Sequence, residues 1–432
     1  MAEIQPFRAL RYDLGHVGAL SSVVCPPYDV IGPELQQQLY NRSPYNHIRL
    51  EFNRPESNDN ELHNRYSRAS ALLREWTGAG VLAQDSARSL YVLHQEYELD
   101  GVRINRRGFF ARLRLEPFGG GMVFPHEQTM AGPKADRLSL LRATGVNLSP
   151  IFGLFPDPAN EVQNLLDRAT ERQLPIEASD HLGVVSRLWP ISDQSVISQV
   201  AGLIGPKPIF IADGHHRYET ALRFLEEQRA AGQVANDLSA ANYVLTALVG
   251  MSDPGLLILP THRLLQKIPA FTANEVRSLL APQFDVEIVG EGESGMRETW
   301  ARLELSGDQH RLGFGTFRDG VWQIASLRDH SVMAKLASDH SPAWQSLAVS
   351  ILHVVVIDHL LRERGFQPEC RYVHLLQEVK DSEDHELAVL VPTATMGHVE
   401  RIAGNHEKMP PKSTYFYPKL LSGLVMHSVR GS

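Results

Sequence analysis

Between Pro208 and Val249 the chain reads as strand, polar turn, helix and second strand, and this run constrains the fold more than any other. Ile209-Phe210-Ile211-Ala212 is a short apolar run of the kind buried on both faces of a sheet. Tyr218, Ala221, Leu222 and Leu225 then recur at helical spacing, Gly232 stops the helix, and Tyr243 to Val249 is a second buried-type strand. That order predicts a βαβ unit within an α/β protein. It places Asp213-Gly214-His215-His216-Arg217 at the strand-to-helix turn.

The rest of the chain fits a mixed α/β or α+β class. A proline-rich turn, Cys25-Pro26-Pro27-Tyr28-Asp29, precedes a helix from Pro33 to Tyr40, and residues 62–78 carry a second helical pattern. Tyr91 to Leu99 alternates, Asp100-Gly101 supplies a tight turn, and Val102 to Leu115 returns as strand, so a hairpin is expected. Helical stretches near 272–281 and 293–304, with strands near 284–289, 310–317 and 321–326, describe a smaller α/β module, and a helix is expected through 345–363. The expected division is 1–265 as the main α/β domain, 266–340 as a small α/β module and 341–432 as a mixed C-terminal section. A chain of 432 residues is long enough for more than one core.

Composition enters where it excludes function classes. A formal net charge of −8 leaves no general basic surface for duplex nucleic acid, and two cysteines rule out both a disulfide framework and a cysteine-rich zinc site. The N-terminus has charged residues where a signal peptide needs an apolar stretch, and the aliphatic run Ile351–Ile357 is too short to span a bilayer. A soluble cytoplasmic protein without a membrane partner is expected; the sequence gives no oligomeric state.

The chemistry concentrates at Asp213–Arg217. A helix N-terminus attracts phosphate or carboxylate, and Gly214 lets the backbone approach such a ligand closely. Arg217 offers a planar fork for an oxyanion, and His216 adds a donor that titrates near neutral pH. Asp213 can take a proton from an attacking hydroxyl or hold Mg²⁺. The structural alternatives are equally concrete: Asp213 as a helix N-cap, His215 as a hydrogen-bonded core imidazole, Arg217 paired with Glu219 or a distant acid.

Secondary clusters follow. His126-Glu127-Gln128-Thr129 with Lys134, Asp136 and Arg137 reads as a loop, either one covering the turn or a solvated one with local ion pairs. In the first case Lys134 or Arg137 meets substrate charge, and Glu127 is the alternative base. His262 and Arg263 follow the strand Leu256 to Leu259 and are expected to emerge at its end, in an anion site or as a structural His with a surface Arg. Lys412-Ser413-Thr414-Tyr415 lacks the glycine-rich loop of a P-loop, though Lys412 can reach a phosphate or carboxylate. No HExxH-type spacing relates His126, Glu127, His215, His216 and His262, so no dedicated metal site is expected.

The stretch ADGHHRYETA resembles the signature of the prokaryotic domain-of-unknown-function family 1015. Further segments fit that family in order: CPPYDVI at 25–31, SPYNHIRLE at 43–51, FPHEQTMAGPKADR at 124–137, LPTHRLL at 259–265 and MPPKSTYFYPKL at 409–420. A more distant similarity runs to the ParB/sulfiredoxin superfamily, including its free-serine kinases. Gly214, His216 and Arg217 match the Gly-Cys-His-Arg pattern of sulfiredoxins, while His215 stands where their reactive cysteine would be, which argues against sulfinic-acid repair. This resemblance implies a ParB/sulfiredoxin-like core and a phosphotransferase acting on a small metabolite, with serine or phosphoserine the leading candidate. It implies ATP or ADP with Mg²⁺ as cofactors. In that reading Asp213, His215, His216, Arg217 and Glu127 are catalytic candidates, and Gly214, His126, Lys134, Arg137, His262, Arg263 and Lys412 hold substrate or phosphate. The alternatives are a phosphatase using the same pocket and a non-catalytic nucleotide sensor or partner-binding protein. DNA binding of the ParB kind would need a helix-turn-helix and a basic patch, and neither is present in the sequence.

Overall fold

Leu90–Leu99 and Val102–Arg114 pair antiparallel with Leu99 opposite Val102. Asp100 and Gly101 between them have φ of 51° and 77°. Positive φ at both positions is what a two-residue turn needs to match the twist of its strands, and an Asp-Gly pair adopts it cheaply. The computed structural model describes residues 1–127 and 131–430, so Gln128 and Thr129 of the second polar cluster lie outside the described residues.

The chain divides into two units: Met1–Pro125 with Thr129–Leu257 and Pro418–Ser432, and His126–Gln128 with Ile258–Tyr417. The fold is mixed α/β. The hairpin is the middle of the first unit's nine-stranded sheet among the described residues. Its order runs Val123–Pro125, Ile209–Asp213, Ile151–Phe155, Tyr243–Gly250, Val102–Arg114, Leu90–Leu99, Val185–Ile191 and Ile176–Ser179, with Ile4–Gln5 on Val102–Arg114. Phe109, Val244, Leu248, Ile209, Ile211 and Tyr218 belong to one buried core on this sheet.

The strand, helix and strand expected around Asp213 all form, as Ile209–Asp213, His215–Ala230 and Tyr243–Gly250. They are not a βαβ unit. Ile151–Phe155 lies between the two strands, antiparallel to Ile209–Asp213 and parallel to Tyr243–Gly250, so the two expected partners run in opposite directions. Three apolar strands buried on both faces carry no alternation that fixes which lies beside which.

In the second unit Phe284–Glu291, Val321–Leu327, Arg311–Thr316, Leu387–Leu390, His262–Gln266 and Glu369–Val373 form an antiparallel six-stranded sheet. Side chains alternate between its two cores: Leu265 packs with Leu312 and Phe314 on one face, Leu264 with Met296 and Trp322 on the other. The helices Ala273–Leu280 and Gly292–Ser306 form where the periodicity predicts them. The helix expected through 345–363 is instead Ala348–Ile351 continuing as a π-helix over Leu352–Leu361. Among the described residues no helix is long and apolar enough to cross a membrane.

Candidate functional site

Asp213 ends its strand and Gly214 turns the chain into the helix His215–Ala230. Gly214 has φ +88°, and a Cβ there would lie 3.1 Å from Nε of Arg217. Both facts call for glycine: the left-handed conformation disfavours L side chains, and the guanidinium folds back over the turn. Gly214, not Asp213, is the N-cap residue, so the N-cap position supplies no side chain to this helix. Asp213 is therefore turned to other partners. Its Oδ2 accepts from Nζ of Lys419 at 2.6 Å and its Oδ1 from Arg217 at 3.4 Å. The three side chains are mostly buried, at 16% exposure for Lys419, 18% for Asp213 and 12% for Arg217.

Arg217 also donates to the carbonyl of Pro150. Behind it, a cavity of about 40 Å³ is lined by Arg217, Glu51, Arg137, Ser149 and Thr220, room for ordered water but not for a nucleotide. Glu51 is buried there; burial raises its pKa, while the guanidinium groups of Arg137 and Arg217 act to lower it. Its Oε1 accepts from Ser149 at 2.8 Å and from Arg137 at 3.2 Å. Arg106 is near enough to Asp213 for the two charges to interact. It is fully buried, donates to the Pro418 carbonyl at 2.6 Å, and burial lowers its pKa to about 10, against the pull of Asp253 and Asp213. The carboxylate at the strand end is thus set among three cations.

The helix Ala131–Thr144 brings Lys134 and Arg137 into the same unit. The expected loop is a helix from Ala131 onward; Gly132 and Pro133 fall in its first turn, where a missing backbone N–H costs nothing. Lys134 pairs with Glu219 at 2.9 Å, and Arg137 is buried between Asp136 and Glu51 with its guanidinium 4.0 Å from the Tyr28 ring centroid. Burial pushes the Tyr28 hydroxyl up to about 12, with Asp29 adding to it and Arg217 opposing. His215 is buried and His216 half-buried on the first turn of the helix that carries Arg217.

The remaining candidates gather in the second unit. His126 Nε2 lies 2.8 Å from Thr414 Oγ1, and Glu127 Oε1 accepts from the backbone N–H of Lys412 at 2.6 Å. Lys412 enters this cluster through its backbone, since its carbonyl accepts from Arg263 at 2.8 Å. His262 and Arg263 do not emerge at a strand end: they begin the strand His262–Gln266 and are buried. Burial and the Arg263 guanidinium push His262 down to about 3, and its ring lies edge-on to Trp300 at 4.8 Å. Among the described residues, two of the nearby groups have no hydrogen-bond partner on one buried atom, Nε of Arg263 and Nε2 of His353.

The candidates therefore form two groups, one within each unit. Sequence reasoning did not single out Lys419, Glu51, Arg106 or His353. Lys419 and Glu51 sit in MPPKSTYFYPKL and SPYNHIRLE, so the signal was present in the motifs; Arg106 and His353 look like an ordinary strand and helix residue.

Among curated proteins nothing matches the chain. Solved structures with some likeness include a conserved hypothetical protein from Pyrococcus furiosus, 12% identical and covering 68% of this chain and 87% of that one, with a TM-score of 0.33. A mutant free serine kinase in complex with ADP is 11% identical over 68% of this chain and 84% of its own, with a TM-score of 0.35. SbnI from Staphylococcus aureus with a C-terminal truncation is 10% identical over 70% and 83%, with a TM-score of 0.34. Scores of this size assign neither fold nor chemistry. The family model described as "Protein of unknown function (DUF1015)" matches residues 4–350, most of the chain. The chain therefore belongs to the DUF1015 family.

Proposed function

We propose that the protein is a phosphotransferase acting on a small metabolite, with phosphate held at the Asp213–Arg217 turn and with serine or phosphoserine as the leading substrate. The observation that carries this reading is the ring of cations around one carboxylate at a helix N-terminus: Lys419 and Arg217 in contact with Asp213, and Arg106 within electrostatic range. Such a site suits an incoming phosphate, which takes over the two cations while the helix dipole favours its charge. The likeness of Gly214-His215-His216-Arg217 to the ParB/sulfiredoxin pattern supports the same chemistry.

Phosphoryl transfer asks mainly for positioning and charge neutralisation. In this reading Gly214 allows close approach of the phosphate, while Arg217, His216 and Lys419 neutralise it. The acceptor hydroxyl oxygen bonds to phosphorus, the nucleoside diphosphate oxygen leaves, and the hydroxyl proton passes to Asp213. ATP or ADP is the expected phosphate carrier or product. Asp213 already has an ammonium and a guanidinium on its two oxygens, so its donor set fits a resident Mg²⁺ poorly, and no step here depends on one. Among the described residues, no group of three or more His, Cys, Asp or Glu side chains is placed to hold a metal ion.

³¹P NMR of the protein with ATP, ADP, Mg²⁺ and free serine, beside a phosphoserine sample, tests the proposal. A new phosphomonoester signal that His216→Ala abolishes is the expected result. Phosphate released only from phosphoserine would replace the kinase with a phosphatase. Unchanged spectra in both tubes would refute serine chemistry.

A further inference from the structure

The second unit holds a pocket of about 280 Å³ that none of the candidate residues lines. It lies on the sheet face covered by Gly292–Ser306, where Met296, Trp322 and Val379 share one buried cluster. Gly315 makes room for the indole: a Cβ there would come within 2.5 Å of the Trp322 ring. Phe317 stands at the wall, 54% exposed, with its ring 5.6 Å edge-on from His385.

The rim is of opposite character. Glu293 Oε2 and Lys380 form an ion pair at 2.7 Å, about two-fifths exposed on each side, and Glu293 Oε1 also accepts from Arg297 at 2.8 Å. His385 also lines the pocket, and its Nδ1 is buried without a hydrogen-bond partner among the described residues. An exposed ion pair contributes only about 0–1 kcal/mol, so exchanging it for contacts with a ligand's own charges costs little. A single anion would meet Glu293, and a single cation would meet Lys380. A ligand carrying both charges on neighbouring atoms satisfies both. The volume is at the small end for a ligand site, which restricts the occupant to a small molecule.

We infer that this pocket binds a free α-amino acid with an apolar or aromatic side chain, the side chain lying against Trp322, Met296 and Phe317, the ammonium on Glu293 and the carboxylate on Lys380. The inference is independent of the phosphate chemistry proposed above, since it needs neither nucleotide nor turnover.

Isothermal titration of the full chain with L-leucine and L-phenylalanine tests it. Saturable binding is expected, weakened at least tenfold by Glu293→Gln and by Lys380→Ala, whose melting temperatures should match the parent because both side chains are on the surface. L-Phenylalaninamide, which lacks the carboxylate, and N-acetyl-L-phenylalanine, which lacks the ammonium, should each bind at least tenfold more weakly. No saturable heat up to about 10 mM ligand would overturn the inference. Binding that the two variants and the two blocked ligands leave unchanged would overturn it equally.

Discussion

Gly214 and Arg217 act on different quantities, and two substitutions separate them. Gly214→Ala forces an L side chain into φ +88° and against the Arg217 guanidinium. A loss of about 1–2 kcal/mol of stability is expected, read as a lowered midpoint in urea unfolding. A midpoint equal to the parent's would mean that the turn relaxes to another conformation. Arg217→Ala removes one cation from Asp213 and one donor from the Pro150 carbonyl. The chain should remain folded by circular dichroism, while affinity for phosphoserine or ADP falls at least tenfold, about 1.4 kcal/mol. Unfolding with no loss of binding per folded molecule would make Arg217 structural. At this scale the sequence was informative about Asp213–Arg217, because the polar residues are adjacent in the chain. Lys419 lies in a motif the sequence does display, MPPKSTYFYPKL, but that it reaches Asp213 across 206 residues is not legible there, because spacing in sequence says nothing about a contact of that length.

Elements were legible wherever the signal was local. The Asp100-Gly101 hairpin, the helix after Gly214 and the strands Phe284–Glu291, Arg311–Thr316 and Val321–Leu327 of the second sheet follow from turn chemistry and local pattern. Strand neighbours were not: Ile151–Phe155 enters between Ile209–Asp213 and Tyr243–Gly250, and nothing in the three apolar runs encodes that order. The π-helix at Leu352–Leu361 likewise has the same apolar composition as an ordinary buried helix. The most consequential element without a sequence signal is the segment Pro418–Ser432, which belongs to the first unit. It buries Leu421, Leu424, Val425, Met426 and Val429, and five such side chains contribute about 10 kcal/mol, comparable to a domain's net stability. A chain stopped at Tyr417 should therefore have an unfolded first unit, visible as lost protection in amide hydrogen exchange over 90–114. Retained protection there would show that the sheet holds without the segment.

For the whole molecule the dominant pH effect should come from buried histidines. Burial lowers His47 to about 4, and His262 and His427 to about 3, from an ordinary 6.5. Each stays neutral when folded and takes a proton near 6.5 once unfolded, so below that value the unfolded chain binds more protons. Their contribution is complete above 6.5 and is lost as pH falls toward 3. The slope is about 1.4 kcal/mol per pH unit for each, or about 4 kcal/mol for the three together. Glu51, raised by burial, works in the opposite direction as a single group. Acid unfolding should therefore set in near pH 5, above the carboxylate range. Far-ultraviolet circular dichroism that stays flat from neutral pH down to about 4 would contradict this.

The position of Lys419 has a further consequence for how the protein is made. A ribosome releases the strands around Asp213 long before it reaches Pro418, and the whole of Ile258–Tyr417 is synthesised in between. Domains often begin folding as they emerge, yet here the nascent first unit has to wait, with Asp213 beside Arg217 but without its ammonium partner, until Lys419 leaves the exit tunnel. The completed charge arrangement at the turn can exist only after translation has passed Lys419, so a stalled or prematurely terminated product cannot carry a finished site.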